Sequence, residues 1–148
     1  MRRHSAFTLV EILIVVVILG ILAAIVIPTF TRATSDAQAN ATLTDLVKMR
    51  RAIGVYRARN NGQMPPIVEA DGDPAVQWGP LVGQSGEYMQ GPPVNAWVGG
   101  DNARKVAVIE NYEPAADFQT DYGWIFDPVT GELYAASFDA TDKPLPRN

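Results

Sequence analysis

Residues 7–28 read FTLVEILIVVVILGILAAIVIP, and from Ile12 to Ile27 all sixteen residues are apolar or glycine. With Phe7 to Val10 the run reaches the roughly 20 helical residues that cross a hydrocarbon layer. Two other readings fail on physical grounds. A core helix apolar on every side needs a large protein around it, which the remainder of a 148-residue chain is too short to supply. An ordinary cleaved secretory signal would use Ala23 and Ala24 near the cut, yet the apolar run continues through Ile25, Val26 and Ile27. A membrane-spanning segment remains. Arg2 and Arg3 precede it and no acidic residue does, so the positive-inside rule leaves the N-terminus in the cytoplasm and the C-terminal part outside.

Glu11 separates this segment from a plain anchor. A charged group near the membrane interior costs about 2.5 to 3.5 kcal/mol on insertion scales, so it marks a function and calls for a partner. A tether gains nothing from such a carboxylate.

Ala6-Phe7-Thr8-Leu9-Val10-Glu11, after a short basic leader and before an apolar helix, resembles the N-terminal signal of type IV pilins and type II secretion pseudopilins. The resemblance implies that a dedicated prepilin peptidase cuts between Ala6 and Phe7 and methylates the new Phe7 amine. It also implies that Glu11 docks the subunit into a filament by pairing with the amine of a neighbour. Gly20 and Pro28 match the helix-weakening positions of that family, in keeping with the low helix propensity of glycine and the missing amide of proline. The departure is Ala6, where the family normally has glycine. The implied organisation is a leader over residues 1–6, a transmembrane and polymerisation helix over 7–30, and a periplasmic or extracellular head over 31–148.

Beyond Pro28 the sequence turns polar but keeps a helical rhythm, with Ala33, Ala37, Leu43, Leu46, Val47 and Ile53 at spacings that predict one apolar face. Asn60-Asn61-Gly62, followed by Pro65 and Pro66, predicts an end near Arg59, so Phe7 to Arg59 reads as one long helix. Lys48, Arg50, Arg51, Arg57 and Arg59 crowd its last turns, where positive charge suits the helix dipole. The segment from Glu69 to Gly86 reads as a loop with a helical turn around Pro80 to Gln84. Strands are expected at Val94–Val98, Val106–Glu110, Tyr122–Phe126 and Glu132–Ser137, the last two joined by a hairpin through Asp127-Pro128-Val129-Thr130-Gly131. The expected fold is α+β and pilin-like: a long N-terminal α-helix, half in the membrane and half packed on the head, against a small antiparallel β-sheet. Pro92-Pro93-Val94-Asn95-Ala96-Trp97 is similar to the Pro-x-Asp-Pro-Trp-Gly stretch of major pseudopilins, with Asn95 and Ala96 in place of the aspartate and proline.

Composition removes several function classes. The chain holds 12 basic and 16 acidic side chains, net -4, and from Asn60 onward 4 basic face 13 acidic, which argues against neutralising nucleic-acid phosphates. Cysteine is absent and His4, in the leader, is the single histidine, so no Cys/His or Ser/His catalytic pair exists in the mature chain and no catalytic residue is assigned. At least two of Trp78, Trp97 and Trp124 are expected in the core rather than on a carbohydrate-stacking surface. Major pseudopilins hold calcium in a C-terminal loop; Asp117, Asp121, Asp139 and Asp142 carry oxygen donors of the type calcium prefers, but at no diagnostic spacing. No other cofactor is expected.

The function expected is therefore structural: a pseudopilus subunit of a type II secretion system. The implied partners are copies of itself and other pilin-like subunits, the prepilin peptidase, an inner-membrane assembly platform and the membrane. The implied location is a single pass through the inner membrane, with the filament in the periplasm or at the cell surface. The alternatives are a type IV pilus pilin and, from another class, a signal-anchored periplasmic binding protein or enzyme.

Overall fold

In the computed structural model, which describes residues 8–69, 73–83 and 88–147, helix α1 runs without a break from Leu9 to Arg59. The chain separates into two compact units, Met1–Asp36 and Ala37–Asn148, and α1 contributes to both.

In the first unit the fifteen large aliphatic side chains from Leu9 to Ile27 are between 50% and 81% exposed. This helix is long and apolar enough to cross a membrane, and none of its most apolar 18-residue stretch is buried among the described residues. At about 1.5 to 3 kcal/mol for covering each such side chain, water is a poor medium for this surface.

In the second unit α1 buries Ala39, Thr42, Leu46, Met49, Ala52 and Ile53, which recur every three or four residues on one face. The stripe is rotated from the expected one: Leu46 and Ile53 belong to it and Leu43 packs against it, but Ala33, Ala37 and Val47 are exposed. Alanine and valine fit either side of a helix, so their spacing alone did not identify the buried face. The helix stops at Arg59, as the sequence predicts. Asn61 and Gly62 take the left-handed conformation (φ 52° and 83°), and the Gly62 amide returns to the Arg57 carbonyl at 2.8 Å.

A four-residue helix α2 (Pro74–Gln77) and a 3-10 turn at Gly79–Leu81 fill the region expected as loop. The expected turn at Pro80 to Gln84 is shifted back toward the N-terminus, and Gln84 lies outside the described residues. Three short strands follow: β1 (Val106–Val108), β2 (Trp124–Phe126) and β3 (Leu133–Ala135), in the order β1-β2-β3. The predicted hairpin is present, with Trp124 opposite Ala135 and Phe126 opposite Leu133. Two expectations are corrected. β1 pairs with β2 in parallel, Val106 beside Trp124 and Val108 beside Phe126, so the sheet is mixed rather than antiparallel. A parallel pair needs a crossover of a dozen or more residues, and residues 109–123 supply it. Val94–Val98 is no strand; it folds into a turn whose backbone amides are taken by Asn95.

All three tryptophans are buried, where at least two were expected to be, with Trp78 against Trp124 edge to face at 6.3 Å and Trp97 against Phe138 at 6.4 Å. Their indole N–H groups donate to the carbonyls of Arg104, Leu145 and Pro93 for Trp78, Trp97 and Trp124 respectively.

Candidate functional site

Ala6 and Phe7 lie outside the described residues; the site begins at Thr8. The Thr8 amide and hydroxyl both donate to Glu11 Oε2 at 2.8 Å, and the Glu11 amide donates back to Thr8 Oγ1 at 3.2 Å. This reciprocal capping box closes the first turn of α1. Thr8-x-x-Glu11 is a cap signature that the sequence carries at the same position as the carboxylate expected to dock. The two roles are compatible. Oε2 receives both Thr8 donors, while Oε1 has no hydrogen bond among the described residues. A carboxylate offers about four acceptor positions, enough to serve a cap and a second donor together.

Gly20 and Pro28 stand inside the unbroken helix. Pro28 cannot donate to the Ala24 carbonyl, which removes one rung of the ladder. Just past it, Thr29 donates its hydroxyl to the Ile25 carbonyl at 2.9 Å, Thr31 to Ile27 at 2.8 Å and Thr34 to Phe30 at 2.9 Å. Such back-bonding competes with the main-chain ladder and softens a helix. Proline and three threonines therefore concentrate weakness in one short stretch of α1.

The four aspartates considered for calcium are not gathered into a cage. Among the described residues no three acidic side chains converge on one point. Asp117 and Asp121 are exposed on the crossover. Asp139 Oδ1 accepts the Thr141 amide and hydroxyl and the Lys143 amide at 2.7 to 3.0 Å, and these donors hold its carboxyl below the usual carboxylate range. Asp142 faces a guanidinium, with Arg50 Nη1 at 2.6 Å and Nη2 at 3.1 Å from its two oxygens, while Arg50 Nε donates to the Leu133 carbonyl at 2.9 Å. Two of the four carboxylates are thus engaged, Asp139 through Oδ1 by its own loop and Asp142 by a protein cation.

Asn95 is the residue that sequence reasoning missed. Fully buried, it donates Nδ2 to the carbonyls of Gly123 (2.7 Å) and Ala136 (3.0 Å) and accepts at Oδ1 from the amides of Trp97 and Val98, both at 3.0 Å. Its departure from the aspartate of the similar stretch was the available signal. An ionised carboxylate could not donate to two carbonyls. Asp127, also buried, organises the hairpin turn: burial pushes its carboxyl up, but the amides of Val129, Thr130 and Tyr112 and the Thr130 hydroxyl outweigh that and hold it below its ordinary value.

Residues 1–27 match the family described as prokaryotic N-terminal methylation motif. Over 101 residues the chain is 33% identical to type II secretion system core protein G of Aeromonas hydrophila, covering 65% of this chain and 69% of that protein. It is 32% identical over 110 residues to the protein of the same name from Klebsiella michiganensis, covering 68% and 74%. To the Pseudomonas aeruginosa protein of that name it is 41% identical over 59 residues, 40% of this chain and 42% of the relative. No solved structure matches the chain.

Proposed function

The chain belongs to the family of type II secretion system core protein G, and from that premise we propose that it is a structural subunit of a type II secretion pseudopilus, polymerising through its N-terminal helix. The observation that carries the reading is the helix from Leu9 to Ile27, whose large aliphatic side chains are left uncovered among the described residues. A bilayer covers that surface before assembly, and the helices of neighbouring copies cover it afterwards. The work is mechanical.

In this reading a prepilin peptidase cuts between Ala6 and Phe7 and methylates the Phe7 amine. Glu11 then receives the amine of a neighbouring copy on the oxygen its cap leaves open, which removes the cost of carrying a bare carboxylate into hydrocarbon. The weak stretch at Pro28 and the propensity dip at Gly20 let the intervening helix yield as subunits are drawn together in the filament. The subunit starts with its N-terminus in the cytoplasm and its head in the periplasm, and it meets an assembly platform in the inner membrane.

Intact-mass and N-terminal peptide analysis of protein from its own membranes test the reading. The expected mature chain begins at methylated Phe7 and has lost Arg2 and Arg3, leaving 10 basic and 16 acidic side chains, net -6. An N-terminus at Met1, or at Ile25 after an ordinary signal cut, would overturn it.

A further inference from the structure

Charge is segregated within the second unit. Residues 37–59 of α1 carry five basic side chains and one acidic one, whereas residues 106–142 carry eight acidic side chains and no basic one. Three of those eight are engaged: Asp127 and Asp139 with backbone amides, Asp142 with Arg50. Four of the others, Glu110, Glu113, Asp117 and Asp121, stand exposed on the crossover from β1 to β2, and none is in an ion pair among the described residues.

The crossover is irregular over residues 109–123 yet tied down. The Tyr112 amide is held by Asp127 Oδ2 at 3.3 Å, Gln119 exchanges two bonds with the Ser137 hydroxyl at 3.0 and 2.7 Å, and the Thr120 carbonyl accepts from Asn102 at 2.8 Å. Irregular segments of this length in compact domains are usually functional or disordered. This one has a tethered backbone with four carboxylates exposed along it.

On α1 the side away from the buried stripe is not the polar surface that solvent favours. Val47 is 65% and Val55 37% exposed, Gly54 and Ala58 add no polar group, and Arg51 lies between them without an ion-pair partner among the described residues. An apolar strip centred on an exposed guanidinium asks for a cover that is partly acidic.

We propose that the acidic crossover of one copy, residues 109–123, docks on the outward face of α1 around Arg51 of a neighbouring copy in the filament. The proposal rests on the pseudopilus reading and names a second contact besides the apolar helix. A second copy is the occupant the charges select, because each chain carries both complementary surfaces. Two different patches on one chain make a heterologous contact, which propagates as an open helical filament when the rotation does not close. The pairing is rim electrostatics, so it directs register and partner choice and weakens as salt rises.

The test uses the full chain expressed with its own peptidase and assembly platform. Arg51→Glu and the pair Glu113→Lys with Asp117→Lys are made separately and together, and membrane level and sheared filament yield are measured. Because like charges facing each other are strongly unfavourable, each reversal alone should lower filament yield about tenfold or more at unchanged membrane level, and the combination should restore most of it. The chain has no cysteine of its own, so Arg51→Cys combined with Glu113→Cys should give a disulfide ladder in filaments that neither single variant gives. Wild-type filaments with unaffected yield in both reversals, or a combination no better than either alone, overturn this contact and leave the pseudopilus reading standing. Absence of filaments from the wild-type chain overturns both.

Discussion

Thr42 on α1 and Asn95 in the turn ahead of β1 meet inside the head, with Thr42 Oγ1 3.3 Å from Asn95 Oδ1 and both side chains fully buried. The Trp97 amide points at both oxygens, 3.2 Å from Thr42 and 3.0 Å from Asn95. One amide side chain thereby joins the helix, the turn at 95–98, the entry to β2 at Gly123 and the exit from β3 at Ala136. Gly123 is part of the same junction, since a Cβ there would collide with the Ala103 backbone carbonyl. Asn95→Ala strands several buried partners at about 1 to 3 kcal/mol each, so a loss of about 3 kcal/mol or more is expected in denaturant unfolding of the head. Asn95→Asp should cost nearly as much, because a carboxylate would face two carbonyls. Wild-type stability in either variant would show that the junction is decorative.

A fragment starting at Thr31 is expected to be soluble and monomeric. It omits the exposed aliphatic surface from Leu9 to Ile27 and keeps the stripe from Ala39 to Ile53 with the tryptophan core it packs on. Size-exclusion chromatography decides the point, and stable filaments of the fragment would place the driving force for assembly outside the apolar helix.

Arg50 and Asp142 close the C-terminal loop onto α1, and the contact is only partly screened, with the two side chains 32% and 34% exposed. Arg50→Met should lower head stability by about 1 kcal/mol, the range of a well-formed but partly exposed pair. Adding calcium or a chelator should leave the wild-type thermal midpoint unchanged, since Arg50 occupies the carboxylate a cation would need. A midpoint that rises with calcium would show that the loop can rearrange to bind it.

Acid should loosen the same region. The carboxyls of Asp127 and Asp139 are both held below their ordinary value by the amides they accept from. A carboxyl with a depressed folded-state value contributes stability that is full above its unfolded value, about 3.9 for aspartate, and is lost as pH falls through the lowered folded value. Thermal midpoints of the head should be level near neutrality and fall below about pH 4. Asp127→Asn should flatten that fall while lowering the plateau, because the amide cannot accept at both positions. An unchanged acid slope in this variant would remove Asp127 from the explanation.

Local chemistry made some of this fold legible. The end of α1 was readable because Asn61 and Gly62 tolerate positive φ, and the β2-β3 hairpin because Pro128 and Gly131 bracket a short turn. The parallel partner of β2 was not, since β1 is three residues long and its pairing depends on a crossover that carries no periodic signal. Val94 to Val98 has strand-like composition, but what shapes it is the buried amide of Asn95, a long-range interaction that spacing cannot reveal. At the N-terminus the opposite occurred. Thr8 and Glu11 announce a cap by their spacing alone, and the membrane context hid an ordinary helix signal behind an unusual one.

Glu11 therefore has two separable contributions, and two substitutions distinguish them. Glu11→Ala removes the cap and the charge; Glu11→Gln keeps an oxygen for the Thr8 donors and removes only the charge. Neither should harm membrane insertion, because losing a carboxylate lowers the cost of placing the helix in hydrocarbon. Both should impair filament assembly, because a neighbour's Phe7 amine loses its counter-charge, and stranding one member of a buried pair costs about 3 to 5 kcal/mol. The amine can shed its proton, so a residual level of assembly is expected rather than none. If the cap alone mattered, the glutamine variant would assemble like wild type while alanine failed. Membrane fractionation and sheared filament yield, measured side by side for the three chains, separate these cases. Equal filament yield from all three would rule out docking through Glu11, and loss of either variant from the membrane would show that the carboxylate serves insertion instead.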